Sequence, residues 1–200
     1  MLAVVFVLLA IAAAIAILAT VTYNRLVRSD NERKRALAQI DVQLKRRSDL
    51  IPNLVESARG YLAHESSTLD EVITARTVAA GLREASSDSP RDSNALGGLF
   101  AADTALTGVL GKLMMVAENY PDLKANGTVS DLMNELNNTE TQISGSRSAY
   151  NNAVKEYNQD IELFPNVLFS SIFGFKKAAS WALTDPAEAV PVRFSLVNKP

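Results

Sequence analysis

Five charged residues stand where the surrounding pattern asks for apolar side chains. Arg47 is in register with Ile40 and Leu54, and Arg76 follows Leu69, Val72 and Ile73. Glu118 sits beside the inward face of a third periodic stretch, while Glu140 and Arg147 interrupt a row running from Met133 to Val154. Charges inside a packed bundle are expensive unless paired and hydrogen-bonded. These residues therefore predict a cross-helix network in which Glu118 and Glu140 pair with some of Arg47, Arg76 and Arg147. Arginine suits the task because its planar fork bridges two carboxylate oxygens at once. Three uses are open. Fixing helix register ranks first, since buried pairs penalise slipped packings, and a switch or partner site ranks second. A general acid/base pair ranks last, because a carboxylate beside arginines stays ionised and makes a poor acid.

Other chemistry is thin. The 200 residues include no cysteine and one histidine, His64. That excludes a disulfide scaffold, thiolate catalysis and cysteine-ligated metal sites. His64-Glu65 opens like a zinc-protease motif, but Thr68 stands where the second histidine must be. No P-loop, G-x-G-x-x-G or G-x-S-x-G occurs, and the Asn126-Gly127-Thr128 sequon lacks a secretory context. The expectation is a protein that is not an enzyme and uses no cofactor or metal. The basic run Arg33 to Arg35 has no interleaved aromatic, and the chain is acidic overall with a net charge of −2. A solvated face near a membrane accounts for it better than nucleic acid.

The elements that must position these residues start with an anchor. Residues 1–22 carry no charged side chain, and as a helix they reach about 33 Å against about 30 Å of hydrocarbon. A cleaved signal peptide would need a basic start and a shorter apolar run. Between Tyr23 and Arg47 there are eight Lys/Arg against three Asp/Glu, which places the following domain in the cytoplasm on a single-pass anchor in the cell membrane. Arg25 and Arg28 lie close enough to meet lipid headgroups, but Lys45 to Arg47 lie beyond the screening length. That second basic cluster calls for a protein partner, within the bundle or in a neighbouring subunit. Ala10 and Ala14, like Ala12 and Ala16, are spaced for close helix approach in lipid.

Beyond the anchor the period is helical, and the fold class is all-α: an antiparallel four-helix bundle over residues 23–165. The first helix carries Leu26, Leu37, Ile40, Leu44, Ile51, Leu54, Ala58 and Tyr61, with Pro52 expected to kink or restart it. The second starts at a Ser66 or Ser67 cap and points Leu69, Val72, Ile73 and Ala80 inward. Ser86 to Gly98 reads as a long mobile loop. The third helix carries Leu106, Leu110, Leu113, Val116, Ala117 and Tyr120. The fourth runs from Val129 to Phe164, with Leu136, Ile143, Tyr150, Tyr157 and Phe164 every seven residues, a coiled-coil-like spacing about 50 Å long.

Residues 166–200 form an aromatic segment and an extended tail. Phe164 to Leu183 holds four of the seven phenylalanines and the sole tryptophan. Such a cluster is surplus to a closed core, so Phe169, Phe173, Phe175 and Trp181 are candidates for assembly or membrane contact. Capping the bundle, lying in the membrane interface and touching another subunit are all open. Alternating helix directions bring Phe164 back toward the membrane. The final VPVRFSLV is extended by composition and could add to another copy as a strand.

Three blocks carry a resemblance: QIDVQLKRRSDLIPNLVESARGYLAHE from Gln39, ENYPDLKAN from Glu118, and ELNNTETQISGSRSAYNNAVKEYNQDIELFP from Glu135. In that order they resemble the LemA family across nearly the whole region after the anchor. The resemblance implies a single-pass membrane protein with a helical bundle, a short N-terminus outside and no established enzymatic activity. Genes of that family often sit beside a membrane zinc protease or a TPM-domain protein, which makes these candidate partners by association. Val129 departs from the aromatic usual after KAN, and Ser86 to Gly98 and Thr184 to Pro200 fit loosely. The functional expectation is a membrane-anchored scaffold that self-assembles as a homo-oligomer in contact with membrane lipid. The alternative is an adaptor presenting its bundle to a membrane protease or other partner.

Overall fold

Seven-residue spacing sets which helix faces meet. Leu26, Ile40 and Leu54 line one stripe of the first helix, and Ile143, Tyr150 and Tyr157 line one stripe of the last long helix; all are buried. In the computed structural model, which describes residues 1–88 and 92–181, these stripes zip together. The first helix, α1, spans Leu2–Arg59 without interruption. α2 spans Ser66–Asp88, α3 Ser93–Ala117, α4 Pro121–Ala125, α5 Gly127–Glu162 and α6 Asn166–Ser170. No strand occurs among the described residues.

The four long helices alternate in direction. Arg25 meets Asp160 at one end and Tyr61 meets Asn126 at the other, so α1 and α5 run antiparallel. Lys112 reaches Glu71 toward one end and Leu82 lies against Gly98 toward the other, which makes α2 and α3 a second antiparallel pair. Arg83 to Asp41 and Arg76 to Ser48 join the two pairs. The expected all-α bundle behind a long apolar helix is therefore what the chain forms.

Several boundaries differ from expectation. Pro52 lies inside α1 and neither ends nor restarts it. The long loop does not form: α2 continues to Asp88, and Asp92 caps α3 by accepting from the Asn94 amide at 2.8 Å. The Ser/Asp-rich composition there supplies a cap rather than a long connection, and Leu96, Leu99 and Phe100 extend the apolar face. A 3-10 turn at Ala63–Glu65 leads into α2, so Ser66 and Ser67 fall inside its first turn. Ile73, Tyr61 and Phe164 are exposed rather than inward. α5 stops at Glu162, two residues before Phe164.

The core is divided. One apolar cluster gathers Ile51, Leu54, Val72, Leu110, Leu113, Val129 and Met133 at the end far from the anchor. A second gathers Ile40, Leu44, Leu99, Phe100, Ile143, Tyr150 and Trp181 nearer the anchor. α3 is also long and apolar enough to cross a membrane, but Leu96, Leu106, Leu110 and Leu113 turn its apolar side into these clusters.

Candidate functional site

Between the two apolar clusters lies a layer of ions. Arg47 of α1 pairs through Nη2 with Asp103 of α3, and through Nη1 with Glu140 of α5 at 2.8 Å. Arg147 of α5 pairs with the other oxygen of Asp103. Thr107 ties the set together, accepting from Arg47 at 3.0 Å and donating to Glu140 at 3.1 Å. Arg47 and Asp103 are each 1% exposed. Burial pushes the Arg47 guanidinium below its ordinary pKa, while the charge and hydrogen bond of Glu140 pull it back up. The arrangement pairs each charge of the layer and ties three helices together.

The network differs from the predicted one in two members. Glu118 is exposed at the C-terminal end of α3 and takes no part. Among the described residues Arg76 joins no carboxylate; its Nε donates to the Ser48 carbonyl at 3.0 Å. That carbonyl is the one Pro52 orphans, because proline has no N–H to return to the residue four before it. Arg76 therefore repairs the defect that lets α1 run through Pro52. Asp103, the central acid, was not predicted. It lies three residues before Leu106 and seven before Leu110, a seam position between the stretch read as loop, which ends at Gly98, and the first apolar residue assigned to the third helix.

A second ion cluster lies toward the anchor. Arg33 donates to Asp30 from Nε at 3.2 Å and Nη2 at 2.8 Å, and Lys34 pairs with the same carboxylate at 2.9 Å. Arg33 and Asp30 are buried, with Arg33 over the Tyr157 ring at 5.6 Å. The run Arg33 to Arg35 is therefore not a uniformly solvated face. The signal was present: Arg33 occupies the same heptad row as Leu26, Ile40 and Arg47. Lys45, Arg46 and Arg47 also find partners inside the chain, in Asp49, Glu135 and the ion layer. They do not call for a neighbouring subunit. Arg25 pairs with Asp160 at 2.6 Å, and Arg28 is exposed.

After α6 the chain turns back along α5. Gly174 takes φ +75°, a left-handed turn that suits glycine. Asn158 then clamps Ala178, its Oδ1 accepting from the amide and its Nδ2 donating to the carbonyl. Asn151 does the same for Trp181. Two helical turns, about 10.5 Å, match three extended residues of about 3.3 Å each, so one helix face can serve as a ladder. The ladder delivers Trp181 to a buried slot, stacked on Phe100 at 3.9 Å with Arg147 4.7 Å from its ring. Trp181 is thus a core residue and not an assembly contact. Its burial follows from two backbone-binding asparagines, which no apolar period reveals. Phe169, Phe173 and Phe175 are half-buried, and Phe173 and Phe175 pack edgewise on Tyr23. Ala10 and Ala14 lie on the exposed N-terminal part of α1. The VPVRFSLV tail lies outside the described residues.

The profile of the LemA family matches residues 36–194, most of the chain. The chain belongs to the LemA family. The three motif blocks of this LemA-family chain fall on α1, the α3–α4 junction and α5. They include Arg47, Pro52, Glu140, Arg147 and both ladder asparagines. Magnetosome protein MamQ 2 of Paramagnetospirillum magneticum is 28% identical, over 85% of this chain and 68% of its own length. MamQ of Magnetospirillum gryphiswaldense is 25% identical over 78% of this chain and 62% of its own. Protein LemA of Metamycoplasma hominis is 26% identical over 70% of this chain and 60% of its own.

Proposed function

We propose that this LemA-family protein is a membrane-anchored, non-catalytic scaffold that self-associates through its N-terminal helix and holds its bundle on the cytoplasmic side. The observation that carries the reading is the continuity of α1. Its apolar first part is fully exposed, and the same helix continues into the bundle as far as Arg59. A membrane helix that pairs with copies of itself through Ala10 and Ala14 would therefore orient its bundle, because no hinge intervenes. The ion pairs within the bundle support a non-catalytic role, since they use the seam carboxylates for packing. The net positive charge just after the span supports the cytoplasmic side. Magnetosome proteins among the relatives are consistent with work at a membrane.

The test is the mass and shape of the full-length chain in mild detergent, by light scattering and negative-stain electron microscopy. Uniform multi-subunit particles that shrink in an Ala10→Leu, Ala14→Leu variant are expected. A clean monomer would overturn self-assembly and favour an adaptor that presents its bundle to another membrane protein, such as a protease.

A further inference from the structure

The corner that follows α5 is built inside out. α6 turns its small polar residues inward: Asn166 and Ser170 are each 4% exposed, and Asn166 donates to the Asp160 carbonyl at 2.8 Å. Its large apolar residues point outward. Phe164 is 79% exposed, Ile172 74% and Leu168 57%, with Leu163 and Val167 close to half. A corner bathed in water on all sides would sort its side chains the other way.

The position of the corner supplies the apolar phase. The antiparallel register set by Arg25 with Asp160 and Arg47 with Glu140, continued past the end of α5, brings Phe164 level with Thr22 and Tyr23. Tyr23 confirms the height, with its ring 5.2 Å from Phe173 and 6.1 Å from Phe175. The first charged residue, Arg25, follows within one helical turn. The apolar corner thus sits where the hydrocarbon around a spanning α1 gives way to headgroups. Lys176 and Lys177 are exposed on the segment that follows it, Lys177 paired with Glu162 at the end of α5, within reach of anionic headgroups.

We propose that residues 163–172 dip into the acyl–headgroup boundary of the membrane, as a second lipid contact of the same chain. The inference rests on the reading that α1 spans the bilayer. Lipid fits better than a second copy, because five partly covered side chains offer roughly 500 Å², short of about 800 Å² per partner in a stable interface. A lone helical anchor leaves the bundle free to spin about its axis; a second contact on the α5 side removes that freedom.

The absence of cysteine makes the test clean. Single variants Leu168→Cys, Ile172→Cys, Val78→Cys and Ile11→Cys of the full-length chain are labelled with an environment-sensitive fluorophore. They are reconstituted in phosphatidylcholine–phosphatidylglycerol vesicles containing lipids with a nitroxide at a shallow or a deep position. The expected result is blue-shifted emission at Leu168 and Ile172, and shallow quenching severalfold above that at Val78, an exposed site on α2. Water-like emission at Leu168, equal to Val78, overturns the inference. A blue shift without lipid quenching overturns it too, and assigns the corner to a second copy. Ile11 separates the failures: deep quenching there with Leu168 in water defeats only this inference, whereas no quenching at Ile11 defeats the spanning reading as well.

Discussion

Asp103 has no neighbour in sequence that announces it, yet it holds two arginines. Asp103→Ala leaves Arg47 buried with Glu140 as its acid and Thr107 beside it, and removes the Asp103 carboxylate from Arg147. The expected cost is about 3–5 kcal/mol, read from chemical denaturation of the detergent-solubilised chain by circular dichroism. Glu140→Gln should cost less, about 1–3 kcal/mol, because Glu140 is partly open to water and Asp103 remains. Tyr150 makes a pH-dependent contribution. Burial raises its phenol above the ordinary 10.0, against the lowering influence of Arg33, and its hydroxyl donates to the Ala179 carbonyl at 2.9 Å. The unfolded chain then releases this proton first as pH climbs. The contribution is complete below about pH 10 and is lost as pH rises through the higher folded value. Denaturation midpoints measured on either side of pH 10 should fall, and Tyr150→Phe should flatten that fall while lowering stability at neutral pH. The residue types on the seams were legible from spacing. Their partners were not, because a charge at a seam position states only that something must answer it.

At the scale of the element, α1 passes through Pro52 because α2 answers it. Arg76→Met should cost about 1–2 kcal/mol in the natural chain, by orphaning the Ser48 carbonyl. In a Pro52→Ala background the helix supplies its own donor, and the same change should cost little. A double-mutant cycle on thermal stability should therefore show coupling near 1 kcal/mol; additive effects would separate the two residues. Helix existence and faces were legible over α1 and α5, where apolar residues recur for many turns. The start of α3 was not, because Ser, Asp, Asn and Gly describe a loop and a helix cap equally well. The strap from Phe175 to Trp181 was also hidden. It has no period of its own, and its position depends on Asn151 and Asn158, two turns apart on another element.

Across the whole molecule, the ion layer separates two apolar cores and touches three helices. If its role is register, replacing it outright should not weaken the fold. The joint change of Arg47→Met, Asp103→Leu, Glu140→Leu and Arg147→Met should hold or raise the denaturation midpoint. Methyl NMR spectra should then show more than one set of peaks as the cores lose their shared reference. A steep loss of stability would make the layer a net stabiliser instead. Charge, length and apolar periodicity, all local properties, determined the all-α class, the candidate span and the antiparallel plan. Tertiary structure alone decided which acid meets Arg47, why Arg76 is needed, and that Trp181 is core while Phe164 is surface. Each of those depends on register between segments far apart in the chain, and on the direction of hydrogen bonds that no period encodes.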